Sequence, residues 1–410
     1  MTLAEELQWR GYKNQTTLKN INELDKKKFK LYFGVDPSAD SMTVGNLASA
    51  MMVKTFLRHG HDVTLLVGGA TGMIGDPSGK SDERNLLDFD QVARNKRAIV
   101  GQYHQLFGQR IRIVDNYDWF KNINYIEFLR DVGKHFSLTP LLQRDYIAKR
   151  VGPNGTGMSY AEFSYTLIQG YDFYHLNKKY GIDLQVCGSD QWGNSLSGVD
   201  LIRRKSGKEA HVYSAPLIVN KVTGKKFGKS EEGAVWLDPK KTSIFQFYQF
   251  WLNVDDDSVS EYLKVFTDID KAEMAHVMQS FENNKAGRLA QKTLALKITG
   301  QVHGKLRADS VRRISDSLFG EGEFLDLGRK EVDMLKAELP VVRASHSDGI
   351  AALVVEAGLA ASNAEANRFI VSGAIYINGT KVDKDTADVL KRGNNLLKRG
   401  KNSFAVVEYK

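Results

Sequence analysis

Two lysines three residues apart, Lys226 and Lys229, flank a glycine in the segment Lys226-Phe-Gly-Lys-Ser230. A glycine-hinged loop with two such point charges can close over a triphosphate and act on charge that develops in a transition state. A solvated basic loop is the plainer reading of the same residues. Spacing argues against a P-loop, which has four residues between its glycines. Gly75-Asp-Pro-Ser-Gly-Lys-Ser81 and Gly224-Lys-Lys-Phe-Gly-Lys-Ser230 each have three. Gly68-Gly-Ala-Thr-Gly72 likewise lacks the GxGxxG spacing of a dinucleotide site. Earlier in the chain, Asp36-Pro-Ser-Ala-Asp-Ser-Met-Thr-Val-Gly-Asn46 runs from a strand end into a helix. Free N–H groups at such a helix start attract phosphate. Ser38, Thr43 and Asn46 add donors, and Gly45 lets an adenine or ribose approach the backbone. Simple capping by Thr43 is the alternative. Tyr165, Gln169 and Asp172 fall at i, i+4 and i+7, one helix face. Phe163, Tyr171, Phe173 and Tyr174 crowd the same segment, which favours a face turned to a pocket over a solvated stripe.

These residues need a frame. Leu31–Val35, Val63–Val67 and Asp183–Cys187 are short apolar runs bounded by polar or glycine residues, with helix-like stretches at Val44–His59 and 194–204. Strands alternating with helices predict a parallel α/β sheet, a Rossmann-like domain over 1–222. Ligands on such sheets sit beyond the carboxyl ends of the strands. That points to Gly34–Ser38, Gly68–Pro77 and Gly188–Trp192. The loop 223–236 follows. Residues 237–324 read as an α-helical domain with Thr242 and Ser258 as caps. A weakly patterned linker spans 325–344. A small α+β domain spans 345–410, with helices near 348–356 and 363–372 and a strand at 374–379.

The chain has 410 residues, which suggests about two to three domains. No apolar run reaches the roughly 18 residues of a membrane span, and the N-terminus lacks a secretory pattern. The single cysteine, Cys187, rules out an internal disulfide and argues against a zinc cluster. A cytoplasmic protein is expected, with no protein-ligated metal. The net charge of +8 permits a polyanionic partner without requiring one. Between Lys391 and Lys410 six residues are basic and only Glu408 is acidic, so this end reads as a solvated tail or a phosphate-contacting one.

Taken together the motifs resemble the class I tyrosyl-tRNA synthetase family. The likeness rests on Asp36–Ser41 with Val44-Gly-Asn46, on Gly68–Gly79, and on Asn116-Tyr-Asp-Trp119. It continues through Phe128–Phe136, Glu162-Phe-Ser-Tyr165, Gly188-Ser-Asp-Gln-Trp-Gly-Asn194 and the loop at 226–230. It covers nearly the whole chain in order. The resemblance implies a tyrosine–tRNA ligase that uses L-tyrosine, ATP with Mg2+ on its phosphates, and tRNA(Tyr). Tyr32 and Asp172 would bond the substrate phenol. Asp76, Tyr165 and Gln169 would hold its ammonium, with Gly34, Asp36 and Gln185 completing the tyrosine site. For ATP the resemblance implies Gly45 and Asn46, Asp190 on the ribose, Gly188 and Gln191 along the adenylate, and Lys226, Lys229 and Ser230 at the phosphates. Ser38, Thr43 and Asn46 join the two lysines as the catalytic set, and Lys80 and Arg84 lie on a nearby mobile loop. As a class, such enzymes reject phenylalanine by about 10⁵. The segment near 115–165, with Phe128–Phe136 and Tyr160, corresponds to the family's homodimer interface. The final block resembles a small RNA-binding domain, through Arg368, Gly373 and Ile375–Gly379.

Two positions depart from the pattern. The family's His-x-Gly-His reads Thr43-Val-Gly-Asn46 here, so both imidazoles are missing, and Phe33 stands where a small residue often lies near the ribose. Two readings follow: an active ligase with a reweighted site, or an RNA-binding paralogue without chemistry.

Overall fold

In the computed structural model the described residues are 1–78, 86–219, 229–230, 233–320, 322–345, 348–383 and 387–410. Contacts divide the chain into two units: Met1–Thr242 with Val254–Ala290, and Ser243–Asn253 with Gln291–Lys410.

The first unit is built on five parallel strands: β1 (Lys30–Val35), β2 (Asp62–Val67), β3 (Arg112–Asp115), β4 (Leu184–Gly188) and β5 (His211–Ala215). Their spatial order is β3-β2-β1-β4-β5, so the order reverses between β1 and β4. Tyr32 lies in register with Gln185 across that junction. Both strands are buried along most of their length because helices cover the sheet, which is why they read as continuous apolar runs.

Four helices matter for the site: α1 (Val44–Arg58), α2 (Phe89–Phe107), α3 (Tyr160–Tyr180) and α4 (Trp192–Ser206). Helix α3 opens with a capping box between Ser159 and Glu162 and closes on Gly181 at φ 71°. A side chain there would pay the left-handed penalty that glycine avoids. One face of α3 carries Phe173 and Leu176 into a cluster with Tyr32, Leu66 and Ile202. Tyr32 and Phe173 rings lie 5.3 Å apart. The same packing turns the face of Tyr165, Gln169 and Asp172 toward the sheet's carboxyl edge.

The helices expected as one domain divide between the units. Helices Asp256–Phe266 and Lys271–Asn283 belong with the first. The reason is tertiary. The Arg10 guanidinium donates to the carbonyls of Lys264, Thr267 and Ile269 at 2.8, 2.6 and 3.0 Å. It thereby satisfies carbonyl groups that a helix end leaves open. The caps also differ from expectation. Ser243 rather than Thr242 caps the helix Ile244–Leu252, and Asp255 rather than Ser258 caps the next.

The second unit contains all but the first two residues of the helix Leu289–His303, the helix Lys305–Phe319 and a second five-stranded sheet. Its strands are β8 (Val341–Ala344), β9 (Ile375–Ile377), β10 (Thr380–Lys381), β11 (Gly393–Arg399) and β12 (Ser403–Tyr409). The expected linker 325–344 therefore carries a helix, Arg329–Lys336, and an edge strand. The basic tail is a paired hairpin: Leu397 is fully buried, and Arg399 donates to the Leu359 carbonyl at 2.5 Å. Lys391, Arg392, Lys401 and Lys410 remain exposed. A short hairpin in the first unit, β6 (Lys229–Ser230) with β7 (Gly233–Ala234), holds the end of the 226–230 segment. No described helix is long and apolar enough to cross a membrane.

Candidate active site

A cleft of about 280 Å³ opens where the strand order reverses, at the carboxyl ends of β1 and β4. This is the position at which open α/β sheets bind ligands. Every expected site residue that is described with its side chain lines it. Tyr32, Gly34 and Asp36 come from β1 and its end; Ser38, Thr43, Gly45 and Asn46 from the run into α1; Asp76 from the loop after β2. Tyr165, Gln169 and Asp172 come from α3, and Gln185, Gly188, Asp190 and Gln191 from β4 and its turn. Phe33 also lines it. Lys80, Arg84 and Lys226 lie outside the described residues. Lys229 and Ser230 are described only as backbone, in β6.

At the deep end Asp172 is 2% exposed. Its two carboxylate oxygens accept from Trp119 Nε1 at 2.9 Å and Asn116 Nδ2 at 3.0 Å. Trp119 is itself stacked on His175 at 4.5 Å between ring centroids. Burial nevertheless pushes the Asp172 carboxyl well above the usual range. Three more polar atoms are buried here without a hydrogen-bond partner among the described residues: Tyr32 Oη, Gln169 Oε1 and Gln185 Oε1. Each orphan costs roughly 1–3 kcal/mol, so a fold that keeps three on one cleft is arranged to receive a polar ligand.

Toward the middle, Asp36 accepts from Tyr165 Oη at 2.8 Å and Thr71 Oγ1 at 2.6 Å. Gly68 is required beside that pair, because a β-carbon there would strike both Asp36 and Thr71. Asp76 accepts from Gln191 Nε2 at 2.6 Å and Ser78 Oγ at 2.6 Å. Gln191 thus ties the loop after β2 to the turn after β4. Cys187 contributes an inert wall: burial holds its thiol up to about 12. Asp36, Asp76, Asp172 and Asp190 line the cleft, and no lysine or arginine does so among the described residues. An acidic cleft suits an ammonium and repels phosphate unless a cation comes from outside it.

Sequence reasoning assigned no role to Asn116, Trp119 or Thr71, which hold Asp172 and Asp36 in place. The available signal was the rule that a buried carboxylate must have donors, applied to the Asn116-Tyr-Asp-Trp119 segment just after β3.

The parallel sheet whose strand order reverses at an acidic cleft fits a class I aminoacyl-tRNA synthetase core, and residues 24–320 match the family described as "tRNA synthetases class I (W and Y)". Residues 331–407 match the "Tyrosine--tRNA ligase SYY-like C-terminal domain". A tyrosine–tRNA ligase of Staphylococcus haemolyticus is 44% identical, over 100% of this chain and 99% of its own. A "Tyrosine--tRNA ligase 2" of Bacillus cereus is 42% identical over 100% of both. Among solved structures, a C-terminally truncated Aspergillus nidulans mitochondrial tyrosyl-tRNA synthetase superposes with a TM-score of 0.69 at 30% identity, covering 78% of this chain and 94% of that one. The chain belongs to the tyrosine–tRNA ligase family.

Proposed function

We propose that this chain activates L-tyrosine with ATP and transfers it to tRNA(Tyr). The observation that carries the reading is the buried set of Tyr32, Gln169 and Gln185, unpartnered beside a carboxylate held by two donors. Tyr32 and Asp172 recognise the phenol. Asp36, Asp76, Tyr165 and Gln169 surround the ammonium, whose charge the acidic cleft favours. The substrate nucleotide is the magnesium complex of ATP, with its ribose on Asp190, its adenylate along Gly188 and Gln191, and its phosphates toward Ser38, Gly45 and Asn46. Lys226, Lys229 and Ser230 approach those phosphates from the loop. The tyrosine carboxylate attacks the α-phosphorus, the bond from that phosphorus to the bridging oxygen breaks, and pyrophosphate leaves. A ribose hydroxyl of the tRNA end then attacks the adenylate carbonyl and AMP leaves. No enzyme nucleophile is needed, so catalysis is orientation and charge stabilisation. The exposed lysines and arginines of the C-terminal unit serve as an RNA phosphate surface.

Tyrosine-dependent exchange of pyrophosphate into ATP tests the reading. Purified protein is expected to exchange well above background. A background rate would leave RNA binding without chemistry as the surviving alternative.

The same reading includes a homodimer in the cytoplasm. A second, apolar groove of about 230 Å³ is lined by Phe120, Tyr125, Phe128, Leu129 and Tyr160. Of its lining residues, Tyr125 and Tyr160 are 59% and 60% exposed. Such a patch suits a second copy of the chain. Light scattering at micromolar protein is expected to give twice the chain mass, and Tyr160→Glu the mass of one chain. A monomeric parent would refute the dimer.

A further inference from the structure

A file of hydrogen bonds runs behind the cleft wall from a cation to a carboxylate. Arg144 precedes the helix Asp145–Val151, and its Nη1 donates to Thr166 Oγ1 on α3 at 3.1 Å. Thr166 Oγ1 donates in turn to Asn194 Oδ1 on α4 at 2.7 Å, and Tyr146 Oη donates to that same oxygen at 3.2 Å. Asn194 Nδ2 donates to Gln191 Oε1 at 3.2 Å, and Gln191 Nε2 to Asp76 Oδ2 at 2.6 Å. The direction is fixed at both ends, because a guanidinium only donates and a carboxylate only accepts. A flipped Asn194 would set its oxygen against that of Gln191, and a flipped Gln191 would set its oxygen against the Asp76 carboxylate. Asn194 and Thr166 are buried outside the cleft lining, whereas Gln191 and Asp76 line it. Gln191 immediately precedes α4, yet its side chain caps none of that helix's N–H groups. Its amide turns to the cleft instead.

We infer that Asn194 is a positioning residue of the amino-acid pocket: through Gln191 it holds the Asp76 carboxylate in place for the substrate ammonium, with Arg144 and Thr166 fixing its own orientation. Bonds aligned head to tail in this way polarise and strengthen one another. An apolar residue at 194 would leave Gln191 Oε1 without a donor and let that amide rotate away from Asp76. This rests on the tyrosine-activating reading of the cleft.

The test is pyrophosphate exchange with varied tyrosine in Asn194→Leu, Gln191→Met and the double variant. Asn194→Leu removes the amide at similar volume. It is expected to lower kcat/KM for tyrosine by roughly 10-fold, while KM for ATP changes less than about threefold. Gln191→Met should lose at least as much. The double variant should match Gln191→Met within about twofold, because Asn194 has nothing to aim once the Gln191 amide is gone. Asn194→Ala, which adds no bulk, is read in the same way should the leucine variant fail to fold. Asn194→Asp adds a pH signature. Its ionised form has no donor for Gln191 and its protonated form has one. Its deficit relative to the parent should therefore shrink from about pH 8.5 to about pH 6, which a purely structural role does not require. Losses that multiply in the double variant, parental kcat/KM in Asn194→Leu, or an aspartate deficit that does not vary with pH overturn the assignment. Absence of exchange in the parent chain overturns the ligase reading instead.

Discussion

Asp172→Asn is expected to lower kcat/KM for tyrosine by roughly 10²–10³-fold, equivalent to about 3–4 kcal/mol, while leaving the fold intact. The carboxylate presents two acceptor oxygens, one to Trp119 and one to Asn116, with remaining lone pairs for a substrate hydroxyl. An asparagine keeps one acceptor and turns two N–H groups into a pocket already filled with donors. Steady-state exchange with varied tyrosine measures the loss. A drop in kcat alone, with KM for tyrosine unchanged, would remove Asp172 from phenol recognition.

The same variant carries a pH signature with a definite sign. Burial, helped by the nearby Asp36 and Asp115, holds the Asp172 carboxyl well above its ordinary range despite the donors that oppose it. The folded chain therefore keeps this proton to higher pH than the unfolded chain, which releases it at about pH 3.9. Stability from the group is fully present below that value and is lost as pH rises through the folded one. Asparagine does not titrate. The Tm difference between variant and parent should thus move in the variant's favour from about pH 5 to about pH 8, as followed by calorimetry. A difference that moved the other way would mean that Asp172 stabilises the fold rather than burdening it for the sake of binding.

How much of this was legible beforehand follows from which interactions are local. β1, β2 and β4 are buried on both faces and read as apolar runs. β3 is four partly covered residues starting at Arg112, and β5 mixes His211 and Ser214 with its apolar residues, so neither stands out. β11 hides behind Lys398, Arg399 and Asn395, whose side chains bond to Leu318, Leu359 and Asn378 outside the strand. In the site, Tyr165, Gln169 and Asp172 share a helix face and can be grouped by spacing alone. Their supports cannot. Asn116 and Asp172 are 56 positions apart and meet only because β3 and α3 converge.

The acidity of the cleft bears on Lys229. The charged side chains that line the cleft among the described residues are all aspartates, with no lysine or arginine to meet a triphosphate. Charge built up on the departing pyrophosphate must be met by a cation that the cleft walls do not supply. We expect it from the 226–230 segment, which carries Lys226 and Lys229. Its end pairs in the β6–β7 hairpin, with Lys229 opposite Ala234. The next residues, Val235 to Leu237, hydrogen-bond to Met42 and Val44 at the start of α1. The loop is therefore rooted at the end of the cleft where Thr43, Gly45 and Asn46 stand. A unit charge about 4 Å from a phosphate oxygen is worth roughly 4 kcal/mol at a protein surface. If that interaction is made mainly in the transition state, Lys229→Ala should slow tyrosyl-adenylate formation by roughly 10²–10³-fold while changing the dissociation constant for tyrosine less than about threefold. Stopped-flow fluorescence gives the first quantity and equilibrium dialysis the second. Lys229→Arg keeps the charge on a broader, planar head, so its rate is expected between those of parent and alanine variant. Equal losses of rate and tyrosine affinity in Lys229→Ala would instead place this lysine among the groups that hold the ground state.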